Sequence, residues 1–437
     1  MTRSRVASFA YAERRVVKTI FRVAGPKFGV LIWFLILAGF TPQCGAQATL
    51  TLQEAISKAL ESRAALRAEA ARVSIAQGLE RQARLIGNPT FQFENQNLRS
   101  GQTYSRDVDT YAYLTQPLDI LGKRKQRIAV ASQGVASSQA EYELARRQIV
   151  RDVKHAYWEV RGTQEIREIL KATVENFQDI VDYHFAQFNA GAIPEQDLLR
   201  IRLESERLQI DANLASIEAT RSRVELQRQM GQTDFSELVL TEPLDSNASP
   251  ISPLDIQQVL GQRVEIRVAK VALEEAQAKA KFEDLSARPD LSILYGYKRT
   301  QLVDTNAGTN TALAGIQITL PTTDRNQGNR AAADAEVHRQ EQLLVEAGAE
   351  VRADYFGAVQ EYDLRRHEVI DTLHLLREHG ATISNIARQA YQQGGTDLLR
   401  LLDAQRARLD AELAWVKGMV QYQLSVVSLQ AAEGVSQ

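Results

Sequence analysis

The histidine and acidic side chains of the C-terminal half come closest to a chemical site. His367, Asp371 and His374 are spaced by four and three residues, which places them on one face of a helix. Imidazole and carboxylate groups can bind a divalent metal, but a stable site needs three or four converging ligands with supporting hydrogen bonds. Charged residues on a long helix usually form a solvated face, and we interpret this group in that way.

The sequence gives little support for other kinds of catalytic or binding site. It contains no Gly-x-Ser-x-Gly, no phosphate-binding glycine-rich loop and no His-Glu-x-x-His, and its single cysteine is Cys44. The 52 Lys and Arg residues nearly balance the 54 Asp and Glu residues, so the chain has no bulk attraction to nucleic acid. We therefore expect a protein that is not an enzyme and that binds neither a cofactor nor nucleic acid.

The N-terminus has the features of an export signal. Basic residues precede an apolar run from Phe28 to Phe40, which is too short to span a bilayer as a helix. Ala46 and Ala48 then supply the small residues that a signal peptidase requires. We predict a signal peptide over residues 1–48. Whether Cys44 is lipidated or removed with this peptide stays open.

The positions of the prolines predict two unusually long helices. No proline occurs between Pro117 and Pro194, or after Pro321. Within these stretches, residues 123–189 and 327–392 are rich in Ala, Glu, Gln, Arg and Leu, which favour helices. At ~1.5 Å rise per residue, each helix would be roughly 100 Å long.

Two β-hairpins, predicted at residues 90–117 and 291–321, precede the long helices. Apolar and polar residues alternate there with a period of two, as in Phe91-Gln92-Phe93-Glu94. The strands have about the length that crosses an outer membrane when tilted, roughly 9–11 residues. Four strands leave two unpaired edges, which lipid cannot satisfy, so several copies must share one barrel.

A duplication explains why the same order of elements occurs twice. Asp-Leu-Leu-Arg occurs at 197–200 and at 397–400, and Gly122-Lys123-Arg124 resembles Gly328-Asn329-Arg330. Apolar seams also match at an offset of 199, with Leu203, Ile210, Leu214 and Ile217 paired to Leu402, Leu409, Leu413 and Val416. We predict repeats at 49–231 and 254–437 joined by a linker at 232–253, each with a helix, a hairpin, a very long helix and a return helix.

The repeated Asp-Leu-Leu-Arg lies where each long helix turns back. Asp197 and Asp397 are good N-cap residues, and the leucines that follow can begin an apolar stripe. The same leucines near exposed tips could instead contact a partner helix. Both roles are compatible with the sequence.

Three motifs carry a resemblance to a known family. AYQQGGTDLLRLLDAQ from Ala390 and FNAGAIPEQDLLR from Phe188 resemble the two periplasmic turns of TolC-like outer-membrane efflux channels. LTQPLDILGKR from Leu114 is similar to the strand-to-helix junction of the branch that serves cobalt, zinc, cadmium and copper exporters. The resemblance covers essentially the whole chain after the signal peptide.

The resemblance implies a fold and partners. The expected fold is mostly α with a small β part: a homotrimer whose helices form a tunnel, continued by a shared 12-stranded β-barrel in the outer-membrane lipid. The channel would extend through the periplasm to a periplasmic adaptor protein and an inner-membrane pump. The tips expected to contact the adaptor contain Gly191, Asp197, Leu198, Leu199, Gly394, Asp397, Leu398 and Leu399.

The resemblance also assigns a periplasmic aperture to Tyr391, Arg400 and Asp403. Arg400 departs from the family pattern, because it places a cation where an acidic residue is often found. Rings of Arg400 and Asp403 would partly neutralise each other and attract cations less than an acidic ring. Asp397 or Glu195 could instead supply the acidic lining.

Two alternatives to metal efflux remain at this stage. A channel of the same architecture could serve drug efflux or type I protein secretion, because the pump selects the cargo. A protein of another class, a periplasmic coiled-coil adaptor or scaffold without a pore, would use its hairpins as short soluble sheets.

Overall fold

The computed structural model describes residues 48–98, 108–244, 250–301 and 308–435. The described chain is mostly helical, as the sequence predicts. The predicted signal peptide, apart from Ala48, and the site at Cys44 lie outside the described residues.

The first half contains short helices, a hairpin and two long helices. Its elements are β1 (Ala48–Leu50), α1 (Leu52–Ser62), α2 (Ala64–Ala83), β2 (Thr90–Gln96), β3 (Asp109–Leu118), α3 (Lys123–Asn189) and α4 (Glu195–Gln229). Strand β1 pairs with a second short strand, β4 (Leu238–Leu240), in a two-stranded sheet. This β4 strand falls within the segment predicted as a linker.

The second half repeats the order of two helices, a hairpin, a long helix and a return helix. Its elements are α5 (Ile256–Gln262), α6 (Val264–Ser286), β5 (Asp290–Gln301), β6 (Gly308–Thr319), α7 (Gln327–His367), a π-helical turn (Glu368–Leu373), α8 (His374–Gln392) and α9 (Leu398–Glu433). The sequence predicted one continuous helix over 327–392. The π-helical turn inside it was not predicted, since it follows from packing rather than from a helix-breaking residue.

The four hairpin strands form one antiparallel sheet in the order β2-β3-β5-β6. Its register places Phe91 opposite Leu114, Leu114 opposite Tyr295, and Tyr295 opposite Ala314. Because side chains alternate along each strand, one face of the sheet is apolar, and the other carries Gln92, Glu94, Tyr111, Tyr113 and Lys298. Within the described chain, the edge strands β2 and β6 each have a partner on one side only.

One glycine in this sheet is needed for a close approach between strands. A Cβ atom on Gly296 would overlap the carbonyl oxygen of Ala112 and the Tyr113 residue opposite. On the same face, Lys298 pairs with Asp109 at 3.4 Å and lies over the Tyr111 ring. The polar face is therefore tightly packed along its middle strands.

Basic side chains join the sheet end of the two halves. Lys123, at the start of α3, donates to the carbonyl oxygens of Ser286 and Arg288 and pairs with Asp290 at 2.7 Å. The neighbouring Arg124 donates to the carbonyl oxygen of Arg84. The Gly-Lys-Arg motif thus satisfies free carbonyl groups at the ends of helices α2 and α6.

Helix caps define the structural register between the halves. Gly122 and Asn326 both adopt left-handed backbone at the N-caps of the long helices, with φ of 86° and 60°. The predicted match of Gly122 to Gly328 is therefore wrong by two residues. Asn326 can replace glycine because Asn tolerates this conformation, and its side-chain amide donates to Glu283.

The repeated Asp-Leu-Leu-Arg does not occupy equivalent places in the two return helices. Left-handed Gly191 and Gly394 lie 203 residues apart at the ends of the long helices, whereas the tetrapeptides lie 200 residues apart. Asp397 is the N-cap of α9, and its carboxylate accepts the Arg400 N–H at 2.9 Å. The equivalent cap of α4 is Pro194, so the prediction that Asp197 is a cap is wrong. Asp197 instead lies in the first turn.

The two predicted apolar seams also differ. On α4, Leu203, Ile210, Leu214 and Ile217 are between 58% and 67% exposed, whereas on α9 Leu402 and Val416 are buried. The paired seam residues lie 199 positions apart, whereas the N-caps of α4 and α9 lie 203 positions apart. The two seams are therefore displaced by four residues, about one helical turn. The prediction of equivalent seams is therefore wrong. The α9 seam packs inside the chain, and the α4 seam, which we call the α4 stripe, faces outward.

Candidate functional site

The two helical turns farthest along the chain from the sheet come together around a small apolar core. We call the α3–α4 turn the first tip and the α8–α9 turn the second tip. Phe177 of α3, Ile201 and Leu208 of α4, and Leu398 and Leu402 of α9 form a buried cluster between them. This cluster joins residues that lie about 200 positions apart in the sequence.

A histidine–tyrosine pair links the first tip to the second beside this core. His184 is 1% exposed, and its Nε2 lies 2.6 Å from the Tyr391 hydroxyl. Its Nδ1 lies 2.7 Å from the carbonyl oxygen of Ile180, which can only accept a hydrogen bond. In the neutral ring Nδ1 therefore carries the proton, and the Tyr391 hydroxyl donates to Nε2.

The environment of Tyr391 keeps its hydroxyl protonated. Burial raises the pKa of Tyr391, and the nearby Tyr183 and the negative charge of Asp197 raise this pKa further. The two rings also stack, with centroids 5.8 Å apart. Tyr391 was predicted at the aperture, but His184 was missed, because no local spacing indicates a partner 207 residues away.

A second link is the ion pair between Glu204 of α4 and Arg406 of α9. The Arg406 Nε donates to one carboxylate oxygen at 2.6 Å, and a second guanidinium nitrogen contacts the other oxygen. The Glu204 side chain is 8% exposed. Hydrogen bonding from Arg406 lowers the pKa of Glu204 and outweighs burial, which acts in the opposite direction.

The two links line the same cavity. Its volume is about 880 Å³, and it lies among α3, α4, α8 and α9. His184, Tyr391, Glu204 and Arg406 are part of its wall, together with Arg388. We call the His184–Tyr391 and Glu204–Arg406 contacts the tip clasps, because both connect the first tip to the second.

The other predicted aperture residues lie outside this cavity. Arg400 and Asp403 are exposed on α9, one turn apart. The Asp403 charge contributes to the raised pKa of Arg406, whose main cause is Glu204. Asp403 and Arg400 therefore lie on the surface of the chain rather than in the cavity wall.

The tip leucines divide into two classes. Leu198 and Leu398 are buried, at 3% and 9% exposure, whereas Leu199 and Leu399 are each 55% exposed. Burial removes Leu198 and Leu398 from the surface that a partner could reach. Contact with a partner at the tips can therefore involve Leu199 and Leu399, beside the exposed glycines at 191 and 394.

The histidines of the C-terminal half do not converge. His367 contacts Asp371 at 2.7 Å, but the His374 ring packs against Trp415. Across the described ranges, no group of three or more His, Cys, Asp or Glu side chains is arranged to hold a metal ion. In the same parts of the chain, no helix has both the length and the apolar character needed to cross a membrane.

We expect the Glu204–Arg406 pair to stabilise the tips. Replacing Glu204 with Gln should lower the free energy of unfolding by about 1–2 kcal/mol, because Arg406 then loses its charged partner but can still reach water. The same change in the exposed Glu206 should have almost no effect. Chemical denaturation of the two variants measures the difference, and equal stabilities would show that the pair contributes nothing.

The pH dependence of this contribution follows from the lowered pKa of Glu204. A depressed carboxyl pKa means that the stabilisation is present above the ordinary glutamate value of 4.5 and is lost as the pH falls below it. The difference between the wild-type protein and Glu204→Gln should therefore shrink below that pH. A difference that grows on acidification would contradict the assignment.

Comparison with known proteins places the fold and both tips in a single family. The family profile described as "Outer membrane efflux protein" matches residues 55–232 and 256–435. The cobalt-zinc-cadmium resistance protein CzcC of Cupriavidus metallidurans is 24% identical over 371 residues, which cover 85% of this chain and 87% of CzcC.

Two further comparisons involve CusC. The cation efflux system protein CusC of Escherichia coli K12 is 22% identical over 347 residues, covering 77% of this chain and 75% of CusC. A solved CusC structure superposes with a TM-score of 0.72 at 21% identity, covering 88% of this chain and 92% of the CusC chain. At this identity the superposition establishes a shared fold.

Proposed function

The chain belongs to the outer membrane efflux protein family and is an outer-membrane channel rather than an enzyme, and from this premise we propose that it exports heavy-metal cations within a tripartite efflux system. Such a system joins the channel to a periplasmic adaptor and an inner-membrane pump. The observation that carries the channel architecture is a four-stranded sheet with two unpaired edges, continuous with helices of 67 and 66 residues.

The sheet supports a shared barrel. In lipid, each unpaired backbone group costs several kcal/mol, so the free edges of β2 and β6 need partners. The simplest solution pairs β6 of one copy with β2 of the next, and three copies then contribute twelve strands. The apolar face, which contains Phe91, Phe93 and Tyr295, would then contact lipid.

The helices support the same assembly. The α4 stripe exposes leucine and isoleucine side chains on one side of the chain, and the α7–α8 region exposes a second apolar row with Leu364, Ile383 and Ile386. Two different apolar surfaces suit head-to-tail contacts between copies, which close into a ring. We place the contact between neighbouring copies at these two rows.

The two halves of the chain are then two copies of one structural unit, at 49–231 and 254–437. Their shared order of elements supports this division, as do Arg63 and Arg263. Each of these residues ends one short helix and begins the next with nearly the same extended backbone. Three copies of a duplicated chain give a sixfold arrangement of similar helix pairs around the tunnel.

Disrupting the α4 stripe should prevent assembly. The double variant Ile210→Asp and Leu214→Asp buries two charges at the proposed contact, and we expect at least a tenfold loss of assembled channel. Its matched control is Gln209→Asp with Asn213→Asp, one residue away on the same helix and also exposed. Native gel electrophoresis of outer-membrane extracts measures both. Normal assembly of the first variant would exclude this interface.

At the periplasmic end, we place the aperture at Tyr391, Arg400 and Asp403 and the adaptor contacts at the tips. Exposed Leu199 and Leu399, with Asp197, Asp397 and the tip glycines, would meet the adaptor. Rings of exposed Arg400 and Asp403 side chains from three copies would line the opening. Their opposite charges favour mutual contact and a closed state.

Removing one charge should loosen this opening. In Asp403→Ala the Arg400 ring loses its anionic partner and repels itself, so conductance in planar lipid bilayers should rise several-fold. The equivalent change at Asp410, two turns along the helix, is the matched control. Unchanged conductance in Asp403→Ala would place the gate elsewhere.

The preference for metals is supported by the relatives. CzcC is named for cobalt, zinc and cadmium resistance, and CusC for cation efflux. Drug efflux and type I secretion are the alternatives within the channel class. The family match sets aside a scaffold without a pore.

Deleting the gene and exposing the cells to a panel of metals and drugs tests the cargo. We expect sensitivity to zinc, cobalt or cadmium to rise at least fourfold and to be restored by the plasmid-borne gene. Sensitivity to dyes and antibiotics alone would refute the metal preference while leaving the channel intact.

A further inference from the structure

The helix from α7 to α8 changes its hydrogen-bond pattern at a single turn. At Glu368–Leu373 the backbone is π-helical, and the His374 N–H donates to the carbonyl oxygen of Val369, five residues back. A π turn is wider than an α turn, and its backbone conformation is less stable than that of an α-helix. Its counterpart in the first half, α3, is α-helical over all 67 of its residues. The second long helix alone is weakened in this way within the described chain.

Three helices interlock at the level of this turn. A Cβ atom on Gly418 of α9 would overlap the Leu373 side chain from the π turn, and a Cβ atom on Gly162 of α3 would overlap the Val420 side chain from α9. Each glycine therefore forms a socket for a neighbouring apolar side chain. We call the contacts among Leu373, Gly418, Val420 and Gly162 the packing node. Gly418 also weakens α9 at the same level, because glycine is a poor helix former.

The chain is anchored on one side of the packing node. Tyr362 of α7 is 1% exposed, and its hydroxyl accepts the Ile251 N–H at 3.0 Å. Its ring packs against Tyr422 of α9 with centroids 5.9 Å apart. These contacts fix the C-terminal end of α7 and the C-terminal half of α9 to the rest of the chain.

On the tip side of the node, helix α8 is attached to the rest of the chain mainly through α9. Helix α8 buries only Gly380 and Ser384, and its Ile383 and Ile386 are more than half exposed. Helices α8 and α9 contact α3 and α4 through the small apolar core, through a second cluster in which Leu409 packs beside Leu170, and through the tip clasps. Between the node and the tips, the pair of helices is therefore held by two small apolar clusters and two polar links.

We propose that the π-helical turn is the hinge on which α8 and the adjoining part of α9 swing away from α3 and α4 when the aperture opens. The packing node is the fixed pivot of this movement. The wide turn permits it because its backbone can rearrange without breaking a regular α-helix on either side. This hinge rests on the proposed channel function but not on the proposed cargo, and the exchange measurement below depends on neither.

Hydrogen–deuterium exchange of the wild-type protein tests directly whether the π-helical turn is less stable than the helices around it. Amides at residues 368–374 should exchange at least tenfold faster than those of the middle of α7, although Val369 and Leu373 are buried, as Val351 and Tyr355 are. The corresponding part of α3 provides a second reference without a π turn. Equal exchange rates in the three segments would overturn the proposal.

Removing the extra residue tests the consequence. Deletion of Ile370, which is 51% exposed, should convert the turn to an α-helix without emptying the core. We expect slower exchange at the turn and a rise in metal sensitivity of at least fourfold, as large as that of the gene deletion, with normal assembly. The matched control Ile370→Ala keeps the residue count and should retain the exchange rates and efflux of the wild-type protein.

The outcomes separate the two proposals. Full efflux by the Ile370 deletion, or slow exchange at the turn in the wild-type protein, contradicts the hinge. If the wild-type gene confers no resistance to metals, the cargo proposal fails, and the exchange rates still decide whether the hinge exists. If the deletion variant does not assemble, the exchange rates of residues 368–374, of the middle of α7 and of α3 in the wild-type protein decide instead.

Discussion

Backbone hydrogen bonds that one chain cannot complete are the constraint on which the rest of the structure depends. Strands β2 and β6 end the sheet on either side, and each carries a row of N–H and C=O groups with no partner in the described chain. Water can satisfy such groups, but lipid cannot. We therefore propose that copies of this chain associate edge to edge in the outer membrane. The outward-facing α4 stripe gives a second reason for association, because it leaves apolar side chains exposed on the helices.

The same long helices connect the membrane end to the tips, and they end in two unequal turns. Pro194 begins α4 without a side-chain cap, whereas Asp397 caps α9. The second tip also follows a helix interrupted by the π turn. The chain therefore combines a regular first pair of helices, α3 and α4, with a second set, α7 to α9, that is locally weaker.

Elements set by local chemistry could be predicted from the sequence. The bounds of α3 followed from a proline-free run of helix formers, and the hairpins followed from alternation. The register between the halves could not be predicted from the sequence. The two Asp-Leu-Leu-Arg segments differ by three residues in their position relative to the helix caps. Helical periodicity hides such a shift, since three or four residues return to nearly the same face. The His184–Tyr391 and Glu204–Arg406 contacts could not be predicted either, because tertiary packing alone brings these distant residues together.

Disulfide cross-linking between edge strands tests the central claim most directly. In a Cys44→Ser background, Gln92→Cys on β2 would be combined in turn with cysteine at Thr311, Leu313, Gly315 or Gln317 on β6, all on the polar face of the sheet. The account predicts that at least one pair gives covalent dimers and trimers in outer membranes, and that neither single cysteine does so. Cross-links within one chain only, in a folded protein, would show that the sheet closes without other copies and would contradict the account.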